Sequence, residues 1–457
     1  MTKHLKALRT TAPLALSITA LLAASSCSRE ESTTPAPTPT GTTATSNAVA
    51  ADLVPAPALT AESWTNGFLT STGVVVPENR QKGLPNVVLG GVPFVKSNNP
   101  EKFTSTGWLV QHAYTHPTRG GNNTWLSGNF NIYVSHLNGT GALAYLQVIL
   151  VNPHSTPITV SYRGSILTSG EAGDANGVIG KSNYYTVSER LLTLPTTVTT
   201  KVIPAGGAVF VALKTMNPSG SADGTLFVNA GSPGVFTYVV ATATDKIEEG
   251  LALASASATR RPAAGNIKPP STAAFGTEAG VYAFSKVTAD APVPLPAGIG
   301  HIGLTVNYAG YTPIPNSSFI QTAPPSQNGS GQTLRLGDSA YRTCGNYNHE
   351  YNINLRLQNP LSRPRRVRVW FAANAITADR QLLYNGAFQF NGSGPVKVLI
   401  TPATSATNRP KQELTADVNG NSLPLTVAAG ATLNVPLRFF IPGLASAGSH
   451  IILETQD

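Results

Sequence analysis

The sequence predicts an all-β protein built from two tandem β-sandwich (Ig-like) modules, internally duplicated, behind a disordered N-terminal tether. Composition is the first reason, since the 457 residues include 42 Gly and 35 Pro and only 12% are charged. Such a composition favours many short strands joined by turns over helices. The second reason is a repeated motif, L-x-N-P-x-S-x-P-x-x-V, which begins at Leu150 and again, with the same spacing, at Leu357.

The repeated motif predicts a strand, a tight turn and another strand in each half of the chain. Asn152-Pro153 and Asn359-Pro360 are turn initiators, because proline fixes φ near the value that the turn requires and asparagine can bond nearby backbone. Apolar residues at strand spacing flank both turns, at 145–151 and 158–162 in the first copy and at 351–357 and 367–371 in the second. Two further matches extend the repeat: G-N-F-N (128–131) with G-N-Y-N (345–348), and A-G-G-A (205–208) with A-A-G-A (428–431).

The N-terminus is typical of an export signal. Residues 1–26 contain a basic start and an apolar stretch, Ala12–Ala24, that is too short for a stable membrane span. The stretch ends in Ala-Ser-Ser-Cys, which resembles a bacterial lipobox and predicts lipidation of Cys27. An ordinary secretory signal that is cleaved nearby is the alternative. Ser28 after the cysteine resembles the pattern that sorts lipoproteins to the outer membrane, so we expect a membrane-anchored protein of the periplasm, outer membrane or cell surface.

Composition shifts along the chain predict its domain boundaries. Residues 27–62 are rich in Thr, Pro and Ala and predict a disordered tether. We expect the first sandwich at 63–254, an inter-domain connection at 255–296 and the second sandwich at 297–457. The segment Asp245–Ala254 is the one convincing helix, with Asp245 and Glu248 spaced as a capping box. The stretch Ser219–Gly224 is predicted to be a turn.

Several segments resemble a family of exported, mostly cyanobacterial proteins known as domain of unknown function 3370. They are V-P-F-x-x-S-N-N-P-E (92–101), T-G-W-L (106–109), the L-x-N-P at Leu150, D-S-A-Y-R-x-x-G-N-Y (338–347) and the strand at 351–357. The resemblance covers roughly Trp64 to the C-terminus. It implies an exported, mostly β protein and brings no activity or catalytic residues. The lipobox-like cysteine and the long tether depart from the family.

No catalytic or cofactor motif is visible. The sequence contains no G-x-S-x-G, H-E-x-x-H, C-x-x-C or phosphate loop, so we expect neither an enzyme nor a cofactor. His112 and His116 are four residues apart, as metal ligands on a helix can be, but a proline and a Gly-Asn loop follow them. We therefore expect no metal site there.

The one charged feature that points to a ligand is the segment Arg365–Trp370. At strand spacing, Arg366, Arg368 and Trp370 share one face, while Arg365 shares the other with Val367 and Val369. Arginine and tryptophan together could hold an anionic sugar polymer by charge and stacking. We therefore name Arg365, Arg366, Arg368 and Trp370 as candidate ligand-binding residues. The alternative is an edge strand that its charges protect from pairing with another chain.

These observations predict an exported, lipid-anchored cell-envelope protein that acts as a binding or structural module. The net charge is +9 and would be +6 without the basic signal segment, which suits attraction to anionic polymers. The expected partners are the membrane, through Cys27, and anionic envelope polysaccharide or surface proteins. No nucleic acid is expected. The alternatives are a carbohydrate-active enzyme with dispersed carboxylates and a subunit of a surface assembly.

Overall fold

The computed structural model describes residues 82–111, 125–169, 183–194, 196–254, 278–282, 284–307, 334–335, 346–374, 384–400, 411–442 and 448–456. Within these ranges the chain consists mainly of β-strands arranged in several sheets, with two helices. The predicted all-β sandwich fold is therefore confirmed. The predicted signal segment, Cys27 and the tether lie outside the described residues.

The strands and helices follow one another in this order: β1 (Lys82–Gly83), β2 (Val87–Gly90), β3 (Phe94–Ser97), β4 (Lys102–Phe103), β5 (Gly107–Gln111), β6 (Asn129–Asn138), β7 (Ala144–Val151), β8 (Ile158–Thr168), α1 (Asn183–Leu192), β9 (Thr199–Ile203), β10 (Ala208–Met216), β11 (Ser221–Asn229), β12 (Phe236–Thr242), α2 (Ile247–Ala254), β13 (Ala279–Tyr282), β14 (Lys286–Pro294), β15 (Gly300–Asn307), β16 (Leu334–Arg335), β17 (Glu350–Gln358), β18 (Arg365–Asn374), β19 (Tyr384–Phe390), β20 (Val396–Ile400), β21 (Lys411–Glu413), β22 (Leu425–Val427), β23 (Thr432–Phe440) and β24 (Gly448–Thr455).

The first sandwich packs a four-stranded sheet, in the order β10-β7-β12-β5, against a larger sheet, in the order β16-β13-β3-β6-β11-β8-β9 with β4 beside β6. Inward-facing residues of the two sheets form one apolar core that includes Trp108, Ile132 and Val239, each nearly inaccessible to solvent. Burial of such side chains is the main force that holds the sheets together.

The second sandwich has the same two-layer plan. One sheet has the order β1-β15-β24-β18-β21, with β22 also paired to β18, and the other has the order β2-β14-β17-β23-β19-β20. Its core contains a cluster of aromatic rings around Phe371, whose ring centroid lies 4.7 Å from that of Tyr384, 4.6 Å from that of Phe388 and 5.9 Å from that of Phe439. Aromatic pairs at these separations add to the free energy gained from burial alone.

The two sandwiches exchange strands, which the predicted domain boundaries did not anticipate. Strands β1 and β2 precede the first sandwich in the chain but pair with β15 and β14 of the second. Conversely, β13 and β16 pair in the larger sheet of the first sandwich. The predicted connection at 255–296 includes β14, which runs parallel to β17 along its whole length. Strand pairing is set by tertiary contacts, so contiguous boundaries drawn from composition missed this exchange.

An asparagine side chain closes the turn of the first repeat. Asn152 follows β7 and is completely buried. Its Nδ2 atom donates to the carbonyl oxygens of Thr156 (2.8 Å), Ile203 (3.2 Å) and Pro204 (3.0 Å), and its Oδ1 atom accepts the N–H of His154 at 2.9 Å. The side chain thereby joins the β7–β8 turn to the β9–β10 turn.

The second repeat contains the same arrangement. The Nδ2 atom of Asn359, after β17, donates to the carbonyl oxygens of Arg363 (2.7 Å), Val427 (3.1 Å) and Ala428 (2.9 Å), and its Oδ1 atom accepts the N–H of Leu361 at 3.1 Å. In both turns the first acceptor lies four residues after the asparagine, and the other two are consecutive carbonyl groups beside the following turn. The hydrogen bonds pair Pro204 with Ala428, one residue out of register with the A-G-G-A and A-A-G-A match. The duplication that the sequence predicts is therefore present in the hydrogen bonds as well as in the strands.

We call this set of hydrogen bonds around one asparagine side chain the asparagine clamp. The structure contains a third clamp that comparison of the two repeats did not find. Asn138 is the last residue of β6, and its Nδ2 atom donates to the carbonyl oxygens of Ala142 (2.8 Å), Met216 (2.9 Å) and Asn217 (3.2 Å). Its Oδ1 atom accepts the N–H of Thr140 at 3.0 Å. Gly139 stands where the repeats have proline, so the motif that identified the other two turns does not match here.

Two predictions about local structure were wrong. Only Ser219 and Gly220 of the predicted turn at Ser219–Gly224 lie outside a strand, because β11 begins at Ser221 and pairs with both β6 and β8. The predicted capping box of Asp245 and Glu248 is replaced by contacts of Glu249, in the first turn of α2. The Glu249 carboxylate accepts the backbone N–H and the hydroxyl of Thr244, at 2.8 and 2.5 Å, an arrangement that ties the segment before α2 to its first turn.

Helix α1 was not predicted, because its sequence is rich in residues that favour strands. It lies between the sandwiches, where Val187, Leu191 and Leu192 pack with Leu167 of the first sandwich and Phe440 of the second. Tertiary burial of its apolar side decides its conformation.

Candidate functional site

Arg365, the first of the four predicted ligand-binding residues, is completely buried. Its guanidinium donates to the carbonyl oxygens of Ala297 (3.0 Å) and Gly298 (2.6 Å), just before β15. The side chain therefore stabilises the start of β15, two strands away in the same sheet, and is not available to a ligand, which corrects the prediction. As the sequence predicts, Arg365 lies on the same face of β18 as Val367 and Val369, and all three are buried.

The other three residues lie on the outward face of β18. Arg366 is exposed, and Arg368 and Trp370 are partly exposed. The Lys411 ammonium of the adjacent strand β21 lies 3.8 Å from the centroid of the Trp370 ring, and the Arg368 guanidinium carbon lies 6.0 Å from it. Both are cation–π contacts. The structure thus adds Lys411 to the predicted residues.

Two carboxylates from other strands also belong to this face. Glu454 of β24 accepts the indole N–H of Trp370 at 2.9 Å and lies 4.0 Å from a guanidinium nitrogen of Arg368. Glu413 of β21 lies 3.9 Å from Nε of Arg368. We call the group formed by Arg366, Arg368, Trp370, Lys411, Glu413 and Glu454 the Trp370 face. Its three cations exceed its two carboxylates by one charge, so the face is less basic than the sequence of β18 alone suggests.

A second candidate site is a cleft of about 470 Å³ between the two sandwiches. Its lining residues come from β6, β8 and β11 of the first sandwich and from β14, β17 and β23 of the second. Sites of this kind prefer the boundary between domains. Nothing in the sequence indicated the cleft, because its residues are brought together only by strand register and by the packing of one sandwich on the other.

Beside the cleft, the junction of the sandwiches contains a buried ion pair. The Lys96 ammonium lies 3.1 Å from a carboxylate oxygen of Glu278, and both side chains are almost completely buried. The rings of Phe94, Tyr133 and Tyr282 surround the ammonium at 5.5, 5.7 and 5.8 Å from their centroids. Burial lowers the pKa of Lys96, and the charge of Glu278 acts against that shift.

Two more buried ionisable groups lie near this pair. His349, directly after the repeated G-N-Y-N at 345–348, contacts the Phe94 ring edge to face at 5.2 Å, and burial lowers its pKa well below the usual value. Asp223 on β11 accepts the Ser135 hydroxyl at 2.5 Å. Burial raises the pKa of Asp223 to about 7, although hydrogen bonds from Ser135 and Ser221 oppose the shift.

The remaining predicted features are only partly covered by the structure. His112 and His116 lie outside the described residues. In the described ranges, no three His, Cys, Asp or Glu side chains come together as a potential metal site. Among the helices that the structure describes, none combines the length and the apolar character needed to span a bilayer.

Comparisons with known proteins do not assign a family. No family model and no curated protein matches the chain. Among solved structures, the chain is similar to the insecticidal delta-endotoxin Cry8Ea1 from Bacillus thuringiensis, with 11% identity over 66% of this chain and 53% of that chain and a TM-score of 0.18. It therefore spans about half the length of the toxin chain.

It is also similar to a chain of the complex that the plant peptide RALF23 forms with FER and LLG2, with 10% identity over 82% of this chain and 96% of that chain and a TM-score of 0.13. Neither similarity is close enough to carry an argument about function.

Proposed function

We propose that this chain is an exported, lipid-anchored protein of the cell envelope whose β-sandwich body is a non-catalytic binding module for anionic envelope polysaccharide. The export and anchoring part of the proposal is supported by the signal-like residues 1–26, by Cys27 and by the Thr/Pro-rich tether at 27–62. The resemblance to the exported domain of unknown function 3370 family is in keeping with it.

The observation that carries the binding part is the Trp370 face. It presents an aromatic ring beside three cationic side chains. Arg368 contacts its two carboxylates only at 3.9 and 4.0 Å, and ion pairs that remain partly exposed contribute little to stability. A carboxylate or sulfate of a sugar polymer can therefore replace these partners at low energetic cost. The indole supplies a surface for stacking once the polymer displaces the Lys411 side chain from the ring.

Envelope binding is tested by mixing the purified protein with isolated envelope fractions at low and high salt. The Arg366→Ala/Arg368→Ala variant is compared with the wild type. The Arg363→Ala/Lys397→Ala variant removes the same charge at partly or fully exposed positions off the Trp370 face and serves as the control. We expect retention that falls with salt, is lost in the first variant and persists in the control.

Equal retention of all three proteins, or no retention of any, would contradict binding through the Trp370 face. The anchor is tested separately, because Cys27→Ala is expected to release the protein from the membrane fraction. A variant that stays membrane-bound and is processed like the wild type would show that Cys27 carries no lipid.

A further inference from the structure

The floor of the cleft between the sandwiches is an ordered array of side chains. On β11, Phe227 is directly opposite Asn131 of β6 on one side and Arg163 of β8 on the other. Two residues further along, Asn229 is opposite Asn129 and Ser161 in the same way. Residues directly opposite in adjacent strands, and those two apart in one strand, lie on the same face of a sheet. The six side chains therefore form two adjacent rows on the face that borders the cleft.

Asn131 presents its amide to the cleft. The residue is only 7% exposed and lines the cleft, and its side chain forms no hydrogen bond with any residue that the structure describes. Its amide atoms are not sealed from solvent, so they reach the open space of the cleft. The amide of Asn131 is thus available, with donors and acceptors, to a ligand in the cleft.

Arg163, at the other end of the same row, is exposed and has no ion pair among the described residues. The opposite wall carries Lys286 and Glu350, whose charged groups are 3.6 Å apart. Glu350 is also held by Arg438 at 2.7 Å. Because the single negative charge of Glu350 is shared by Lys286 and Arg438, it does not offset Arg163, and the charge around the cleft is net positive.

The row as a whole matches one chemical class of ligand. An aromatic ring, Phe227, lies between an amide and a guanidinium, and the next row contains two more amides and a hydroxyl. Sugar rings combine an apolar face of C–H groups with a rim of hydroxyls that both donate and accept hydrogen bonds. A guanidinium is the side chain that best recognises a carboxylate, through two parallel hydrogen bonds. The volume of about 470 Å³ lies within the range of roughly 300–1,000 Å³ typical of small-ligand sites.

We propose that the cleft between the sandwiches is a binding site for an acidic mono- or disaccharide. The sugar ring packs on Phe227, Asn131 and the neighbouring amides bind its hydroxyls, and Arg163 binds its carboxylate. This site is separate from the Trp370 face and has its own variants, so either proposal can fail without the other.

The test is isothermal titration calorimetry of the purified protein with glucuronate and with glucose, which differ in a carboxylate. We expect tighter binding of glucuronate by at least about tenfold, the effect of one charge-assisted bidentate contact. Arg163→Gln should reduce this preference to about twofold or less. Asn131→Leu, which keeps the side-chain size, should weaken both sugars about tenfold. The Arg366→Ala/Arg368→Ala variant should bind both sugars like the wild type.

The unfolding midpoint of each variant shows whether its fold is intact, and because Arg163 is exposed, Arg163→Gln is expected to unfold with the wild type. The absence of saturable binding of either sugar at concentrations up to about 10 mM, roughly ten times the Kd of a weak, 1 mM ligand, would overturn the proposal. So would an Arg163→Gln variant that keeps the full preference for glucuronate.

Discussion

Replacing Asn359 by Asp should destabilise the protein at least as much as replacing it by Ala. The Asn359 amide donates to three carbonyl oxygens at 2.7 to 3.1 Å, and the residue is only 2% exposed. Each hydrogen bond contributes roughly 1 kcal/mol net, and each buried acceptor left without a donor costs about 1–3 kcal/mol. Removal of the amide should therefore lower the free energy of unfolding by about 3 kcal/mol or more.

The aspartate variant separates the accepting role of Oδ1 of Asn359 from the donating role of its Nδ2 atom. A carboxylate can still accept the N–H of Leu361, as Oδ1 of Asn359 does at 3.1 Å, but it cannot donate, and its charge faces three carbonyl oxygens. If the turn depended only on that acceptor, aspartate would restore stability. The clamp predicts that it will not.

The assay is equilibrium unfolding in urea, followed by circular dichroism. Asn419→Asp, in the exposed turn of a hairpin whose side-chain contacts come from Asp417, is the control and should change stability by no more than about 0.5 kcal/mol. An Asn359→Asp variant within about 1 kcal/mol of the wild type would refute the reasoning.

Three further predictions concern buried charges. Burial raises the pKa of Asp223 to about 7 from an ordinary value of 3.8, so between these pH values the folded chain binds a proton that the unfolded chain lacks, and stability falls as the pH rises through that window. Urea unfolding of Asp223→Asn should therefore show a stability that gains on the wild type by up to about 4 kcal/mol between pH 4 and pH 8. A gain independent of pH would contradict this. Lys96→Met should lower the free energy of unfolding by about 3–5 kcal/mol, because it leaves Glu278 buried without its cation. In a double-mutant cycle, adding Glu278→Gln should recover part of this loss. If the effects of the two substitutions on stability simply add, the ion pair does not contribute as proposed. Arg365→Ala should lower the free energy of unfolding by about 3 kcal/mol, because two charged hydrogen bonds are lost. Arg366→Ala should change it by less than about 0.5 kcal/mol. Similar values for the two variants would contradict the burial of Arg365.

The repeat is what made the fold predictable. Asn-Pro pairs in two matching windows carry their own turn geometry, so the strands on either side followed from local rules. β11 shows where such rules fail. Its Ser-Ala-Asp-Gly start has the composition of a turn, but Asp223 is held by Ser135, and Gly224 is needed because a Cβ there would lie 2.0 Å from the carbonyl oxygen of Ser165. Both reasons belong to neighbouring strands and are absent from the local sequence.

The candidate sites were likewise predictable where the information lies within one strand, and not where it lies in neighbouring strands. The two-residue period of a strand placed Arg366, Arg368 and Trp370 on one face correctly. It could not show that Glu454 and Glu413, from β24 and β21, oppose them, because sequence period does not give strand order. The cleft needed still more information. Asn131, Phe227 and Arg163 form a row only through the register of three strands, and none of the three stands out in its own segment.

Strand exchange joins the two sandwiches into one body, which fixes the walls of the cleft. Trp108 is buried in the first sandwich and Trp370 lies on the second, so single-tryptophan variants that retain one or the other report on each sandwich. The decisive measurement is urea unfolding of both variants, followed by tryptophan fluorescence and by circular dichroism. The exchanged strands predict that, in each variant, the fluorescence midpoint coincides with a single circular-dichroism transition. Two circular-dichroism transitions, with Trp108 following one and Trp370 the other, would contradict the claim.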